Sequence, residues 1–568
     1  MKAKEPFTLH QIGALVTMAI VAVWGVWVVG LHLTRPLGMA HVEVVFLSAL
    51  VPVYLVLLPF YAFRVRWSYV SGIIVLLGLF AGLIKSLADR SFFFSLSAYN
   101  LIAVAVLLAA AGSIYFSLRA FLERPSAGWV KSLLGIGGLL AVSALAVWQV
   151  SANQTAIESY MLKRVIQGVQ ARTKDARGLD SKIEALMAEG DVKSLAAAIL
   201  VDDRVVWMQG YGQQPELDML YDSGSITKSF VATAVLQLYE QGRIDLDDDV
   251  NAYLPFSVRH PDHPDIPITF RMLLTHRSCL APNTALYYAY TKGAELSQWG
   301  VAHRGWEYRQ EFGLLTYPEF MARYLEPGGP YYEPDNWASC QPGTAYVYST
   351  PGFDLLGYLV EQISGQPLID YMRENILTPL AMTSTTATPL DNRERMAIPY
   401  ERWYGVLAKT NVELPLSQRR LIGGGGLYTT VGDLSNFLLA HMNRGAFDNY
   451  QLLRPETVAL MHSKVSQDSS DFLGIGSGYG WSLYQEEPWQ VWDLTLQPRG
   501  YQGHGGRYWG YAAGMYMVQE TDGAYGYVLL MNTSTTESWD NPWYFSIQAN
   551  IQDLILQEAH RMSQEPDS

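Results

Sequence analysis

Residues 221–228 read Tyr221-Asp222-Ser223-Gly224-Ser225-Ile226-Thr227-Lys228, and an apolar run, SFVATAVLQLYEQG, carries on to Gly242. After Gly224 the apolar positions recur every three or four residues, the period of a helix that buries one face, and Gly242 ends it. Ser225 therefore sits at a helix start, where unsatisfied backbone N–H groups and the helix dipole favour negative charge. Lys228 follows three residues on, one turn away, within reach of the Ser225 hydroxyl. A serine beside a desolvated amine is the arrangement an activated nucleophile needs. Four residues of this pattern also recur by chance on solvated surfaces, so the remainder of the chain has to supply the context.

That remainder divides sharply. Of 568 residues, 49% are hydrophobic and 16% charged. Residues 1–152 carry a net +6 and the rest a net −19. An acidic body of that size excludes nucleic acid as a natural partner. Five apolar stretches fill the first part, at about 12–31, 42–63, 68–84, 97–116 and 132–150, each close to the ~20 residues that cross a bilayer as a helix. Lys2, Lys4, Arg64, Arg66, Arg119, Arg124 and Lys131 fall in loops on one side, against Arg35, Lys85 and Arg90 on the other. This asymmetry predicts a cytoplasmic N-terminus and, after five crossings, an extracytoplasmic body. No ionisable residue lies deep in a span, so the region reads as an anchor rather than an ion path. The expected organisation is a transmembrane region at 1–152, a polar helical connector at 153–178 and a catalytic domain at 179–568.

Within that domain, 179–212 reads as a helix and two strands meeting at Asp202-Asp203. The aspartates of GRIDLDDDVNAYLP lack the ligand periodicity of a calcium loop and read as a capped turn. ITFRMLLTHRSCL is a short helix ending at His276, which reads as a hydrogen-bonded structural residue. Residues 280–340, rich in Tyr, Trp, Gly and Pro, show no period and read as an excursion that shapes a cleft. PGTAYVYST carries Tyr348 into an amphipathic helix, and GGGGLYTTVGDL leads into another, with Thr430 or Asp433 as its cap. GHGGRYWGYAAGMYMVQETDGAYGYVLLMNTS reads as two strands turning at Asp522-Gly523, before a closing helix at about 542–556. Cys279 and Cys340, the only cysteines, have no metal-ligand spacing. They bracket the excursion, and in an oxidising compartment they are candidates for a disulfide.

Ser225-x-x-Lys228, Tyr348-Ser349-Thr350 and His504-Gly505-Gly506, in that order, resemble the motifs of the penicillin-binding serine hydrolases, and most of all the branch of class C β-lactamases, D-aminopeptidases and related esterases. The resemblance covers residues 179–556 and implies an α/β serine β-lactamase-like domain: an antiparallel sheet flanked by helices, a helical subdomain, and a cleft between them. It implies that Ser225 forms an acyl-enzyme, that Lys228 keeps it activated, and that Tyr348 exchanges protons with it and with the leaving group. His504 stands where many relatives have lysine; it could orient Tyr348 or hold a substrate carboxylate. The backbone N–H groups of Ser225 and Arg507 would form the oxyanion hole, with Thr350, Gly505 and Gly506 lining the substrate site. Thr350 replaces the usual asparagine and His504 the usual lysine, which favours peptide, amide or ester hydrolysis over β-lactam hydrolysis. No cofactor or metal is implied. The expected function is a membrane-anchored, extracytoplasmic serine hydrolase acting on a small molecule or a peptide, including one with D-residues. A sensor that acylates slowly and signals through the five helices is the alternative, although the H-E-x-x-H protease of such receptors is absent.

Overall fold

The computed structural model describes residues 177–281, 284–291, 309–404, 409–413, 423–465, 475–484, 489–491, 494–497, 500–521, 523–534 and 542–564. The five apolar stretches and the connector up to residue 176 lie outside these residues. Among the described residues no helix is long and apolar enough to cross a membrane. The chain divides into two compact units. The smaller comprises Met1–Val165, Trp403–Thr410 and Glu537–Phe545. The larger, described below, contains almost all of the described residues.

Helix α1 (Leu179–Gly190) buries Ile183, Leu186 and Met187, and ends at Asp191 in a left-handed conformation. Strands β1 (Ser194–Val201) and β2 (Arg204–Gly212) pair antiparallel across the Asp202-Asp203 turn. The sequence after residue 500 forms three strands rather than two: β7 (Tyr501–Tyr508), β8 (Tyr511–Gln519) and β9 (Ala524–Met531). The extra turn is Trp509-Gly510, with Gly510 at φ 78°. A two-residue turn flanked by tyrosines barely interrupts the apolar pattern, which is why two strands read as one. Strands β3 (Tyr221–Asp222) and β4 (Tyr428–Thr429) pair with one another, and β5 (Ile475–Ser477) and β6 (Ser482–Tyr484) complete the main sheet. Its order is β2-β1-β9-β8-β7-β6-β5, so the first strand of the domain is hydrogen-bonded to the last. All of the pairings assigned in this sheet are antiparallel.

Strands β1 and β9 are buried along their whole length, as continuous apolar strands covered on both faces must be. Helix α2 (Thr227–Glu240), which follows the Ser225 turn and carries Lys228, is buried from Thr227 through Leu238. It stacks Phe230 on Phe437, ring centroids 3.8 Å apart. Phe437 belongs to helix α7 (Val431–Met442), whose N-cap Thr430 accepts from the Asp433 N–H. Helix α8 runs Pro542–Ser563, longer than its polar end suggests. Ile547, Ile551, Ile555 and Ala559 are buried and recur every four residues, the stripe of a helix packed by one face.

The excursion contains helix α4 (Thr284–Thr291) and helix α5 (Tyr317–Leu325) after the short α3 (Phe270–Leu274). Its aromatic residues make a small core, with Tyr290 stacked on Phe320 at 3.8 Å and Tyr331 edge-on to Phe312 at 5.7 Å. Cys279 and Cys340 form a disulfide with Cα atoms 6.0 Å apart, closing this segment at both ends. The acidic turn at 245–249 is held by its own backbone: the Asp247 N–H donates to Asp245 and the Asn251 N–H to Asp249. Among the described residues no cluster of His, Cys, Asp and Glu fits a metal.

Candidate active site

Ser225 lies in a single 3-10 turn, Gly224–Ile226, immediately before α2. Gly224 adopts φ 54°, a left-handed conformation that costs glycine little. Its N–H donates to the Asp222 carboxylate at 2.7 Å. The turn abuts the edge of β7. A Cβ on Gly506 would lie 1.8 Å from the Ser223 carbonyl oxygen, and one on Gly224 would lie 2.5 Å from the Arg507 nitrogen. Both glycines therefore exist to let two backbones touch.

Strand β6 pairs with β7 only at Gln502 and Gly503, so the edge from Gly505 to Arg507 faces the Ser225 turn. The pair Tyr508–Tyr511 closes the two-residue hairpin. Neighbours of a closing pair point their N–H and C=O away from the partner strand. This aims the Arg507 N–H at the same side as Ser225. The Ser225 N–H belongs to the first turn of a helix and is likewise directed outward. Two such donors can stabilise a developing oxyanion. The Arg507 side chain turns elsewhere, with its guanidinium bonded to Gln548 at 2.9 Å.

Lys228 is completely buried. Its Nζ donates to Ser225 Oγ at 3.1 Å and to the Gly424 carbonyl at 2.7 Å. It also sits 5.1 Å from the centre of the Tyr348 ring and 6.0 Å from that of Phe353. A buried ammonium is tolerated only with such partners. Tyr348 is 40% exposed, so its phenol opens to the cleft while its ring covers the lysine. The structure thus brings Ser225, Lys228 and Tyr348 together around one amine.

Tyr348 is held from behind by His276. The two rings lie 4.5 Å apart, and His276 Nδ1 accepts the Ser349 N–H at 3.0 Å. The His276 carbonyl accepts from Val347 at 2.7 Å, and Ser349 caps helix α6 (Thr350–Ser364) through the Gly352 N–H. Burial, then the charge of Lys228 and the nearby His504, keep the His276 pKa well below the usual histidine range. A neutral ring with Nδ1 as acceptor is what this contact needs. The sequence marked His276 as structural, but its grip on the Tyr348 loop became visible only in the fold.

His504 is buried on β7, and its Nδ1 lies 2.6 Å from the Gly505 carbonyl. Since a carbonyl only accepts, Nδ1 carries the proton and Nε2 is left as an acceptor. Burial and then the charge of Lys228 lower its pKa to about 4, opposed by that hydrogen bond. His504 is therefore neutral at physiological pH. In the free site the neutral ring offers Nε2 as an acceptor. Thr350 occupies the first turn of α6 and is mostly buried, with Gly424 packed against its methyl group. Gly505 and Gly506 form the strand edge itself.

The family model for beta-lactamases matches residues 179–550, and the chain belongs to that family, as a serine hydrolase of β-lactamase fold. It is 27% identical over 314 residues to penicillin-binding protein 4 of Amycolatopsis lactamdurans, an alignment covering 53% of this chain and 74% of that protein. It is 25% identical over 300 residues to the D-alanyl-D-alanine-carboxypeptidase/endopeptidase AmpH of Escherichia coli K12, covering 50% and 68%. Among solved structures, the octameric penicillin-binding protein homologue from Pyrococcus abyssi superposes with a TM-score of 0.50 at 25% identity, over 66% of this chain and 76% of that one.

Proposed function

We propose that the protein is a membrane-anchored serine hydrolase that works outside the cytoplasmic membrane and cleaves a peptide, amide or ester bond through an acyl-enzyme on Ser225. The observation that carries this reading is the Lys228 Nζ–Ser225 Oγ hydrogen bond in a buried pocket beside the β7 edge. In acylation Ser225 Oγ bonds to the carbonyl carbon and its proton passes to Tyr348 in its phenolate form, held beside the Lys228 ammonium. The oxyanion rests on the Ser225 and Arg507 N–H groups, each worth about 3–4 kcal/mol in comparable sites. The bond to the leaving group then breaks, and Tyr348 delivers the proton that the amine or alcohol takes away. In the second half water attacks the acyl carbonyl and loses its proton to Tyr348, which returns it to Ser225 Oγ as the acyl bond breaks.

Similarity to a D-alanyl-D-alanine-carboxypeptidase/endopeptidase supports a peptide with D-residues. Histidine at 504 and threonine at 350, in place of the usual lysine and asparagine, favour peptide, amide or ester hydrolysis over β-lactam hydrolysis. The disulfide supports an oxidising compartment, and the basic loops before residue 152 support the same orientation. The test is turnover by the detergent-solubilised chain on D-residue amides, C-terminally free and amidated D-dipeptides, short chromogenic esters and a chromogenic cephalosporin. Multiple turnover on a peptide, amide or ester, with the cephalosporin turned over poorly, is the expected result. A single burst without turnover on every substrate would favour the sensor.

A further inference from the structure

Outside the residues that touch the reaction, one buried acid is wired to it. Asp354, on the second turn of α6, is 2% exposed. Its Oδ1 accepts the N–H of Gly424, and its Oδ2 accepts the phenol of Tyr287 from α4. The peptide that donates to Asp354 belongs to the residue whose carbonyl receives Lys228 Nζ at 2.7 Å. A chain of hydrogen bonds thus runs from Tyr287 through Asp354 and Gly424 to Lys228 and Ser225.

The backbone around Gly424 is built for this contact. A Cβ there would stand 2.4 Å from Thr350 Cγ2 and 2.8 Å from Asp354 Oδ1. Only glycine lets the loop lie flat on the first turns of α6. A carboxylate in such a place is costly unless donors satisfy it, and the two partners named do so. Since the loop presents its carbonyl to Lys228, whatever fixes the loop also fixes where the ammonium stands relative to Ser225 Oγ.

We infer that Asp354 is a positioning residue for Lys228, acting through the Gly424 peptide, and that Tyr287 ties this support to the excursion that shapes the cleft. The inference rests on the reading of Ser225 as nucleophile and Lys228 as its activating amine. Misplacement of a reacting group by about 1 Å costs on the order of 100-fold in rate. Loss of a single neutral hydrogen bond at the far end costs roughly tenfold or less.

The test uses the full-length chain in detergent, a fluorophosphonate probe read for both rate and final amplitude, and kcat and KM on a chromogenic ester. Asp354→Ala should label to the wild-type amplitude about 100-fold more slowly, with the loss in kcat and KM changed little. Asp354→Asn can still accept from Gly424, and should recover to within about tenfold of wild type. Tyr287→Phe should fall between wild type and Asp354→Ala. The inference is overturned if Asp354→Ala reacts within about threefold of wild type, if Asp354→Asn is as slow as Asp354→Ala, or if Asp354→Ala lowers the amplitude rather than the rate. Labelling that survives in Ser225→Ala would instead sink the nucleophile assignment on which the inference stands.

Discussion

Two regions meet at Lys228 and are held in different ways. The Ser225 turn is continuous with a helix: three residues of 3-10 helix run straight into α2, which carries the lysine, the Asp222 carboxylate caps Gly224, and Ser223 is bonded to the Leu427 carbonyl. The Tyr348 loop leads into α6, but Tyr348 itself lies outside that helix, before its N-cap Ser349. Its place comes from His276, distant in sequence, from backbone bonds such as Gly343 to Arg277, and from a disulfide that joins residue 279 to residue 340. A nucleophile must be aimed to within a fraction of an ångström and is built into a helix. Tyr348, the proposed proton shuttle, is 40% exposed and is tethered instead. Damage to long-range contacts should therefore reach Tyr348 before it reaches Ser225.

Ser225→Ala should remove all turnover and all fluorophosphonate labelling while the thermal unfolding midpoint stays near that of the wild type. Only the Oγ is lost, and the backbone bonds that hold the turn remain. A large drop in the midpoint would mean that the turn depends on its neighbours as much as the loop does.

Removing the disulfide tests the other region. Cys279→Ser with Cys340→Ser releases a loop of sequence separation 61, for which the chain-entropy model gives about 4 kcal/mol. Denaturant unfolding should show that loss. In conditions where the variant is still folded, turnover should fall more than the final extent of labelling, because the tethered phenol is disturbed and the serine is not. Equal losses in the two readouts would dissolve the contrast.

Tyr348→Phe should slow turnover by on the order of 100-fold. A near-wild-type rate would pass the proton shuttle to Lys228 or to the neutral His504, and the tether would lose its catalytic purpose.

The smallest effect concerns acid. His276, His441 and His504 are buried and hold folded-state pKa values below 6.5. The unfolded chain therefore binds more protons than the folded one below about pH 6.5, and stability falls as the pH drops. Each of these histidines contributes a slope of at most about 1.4 kcal/mol per pH unit. For His504 the loss levels off below about pH 4. Burial raises the pKa of Glu361, Asp433 and Asp553, which offsets part of this. Denaturant midpoints measured between pH 4 and 8 should flatten in His441→Gln, since His441 lies away from the cleft against Phe437 and Trp481. An unchanged profile would remove His441 from the account.

The sequence carried the local region well and the tethered one poorly. Ser225 and Lys228 were legible because one helical turn connects them, and the acidic turn because its capping is internal. The cap of α7 was narrowed to Thr430 or Asp433 for the same reason, and the fold assigns it to Thr430. Asp354 carried no such mark. It is a polar residue on the buried side of an amphipathic helix, and its partners at positions 287 and 424 come together only in the fold. The glycine run ending at Gly426 was a hint of close backbone approach, but it did not say against what. The charge state of His504 was equally hidden, since it depends on burial and on a lysine 276 positions earlier in the chain. The turn at Trp509-Gly510 was missed because tyrosines on both sides kept the apolar pattern unbroken.

The strand order has a consequence for how the domain comes into being. Ser194 donates its N–H to Asn532, 338 residues further on, and β1 lies against β9 in the body of the sheet. Ribosomal synthesis delivers the serine helix early and the strand edge that faces it hundreds of residues later. Contacts of such long range make folding slow, and an incomplete sheet leaves β1 with an open edge that other chains can pair with. Until translation has passed residue 531 the nascent hydrolase has a nucleophile but no assembled cleft. A chain stopped short of β9 should emerge both inactive and prone to aggregate.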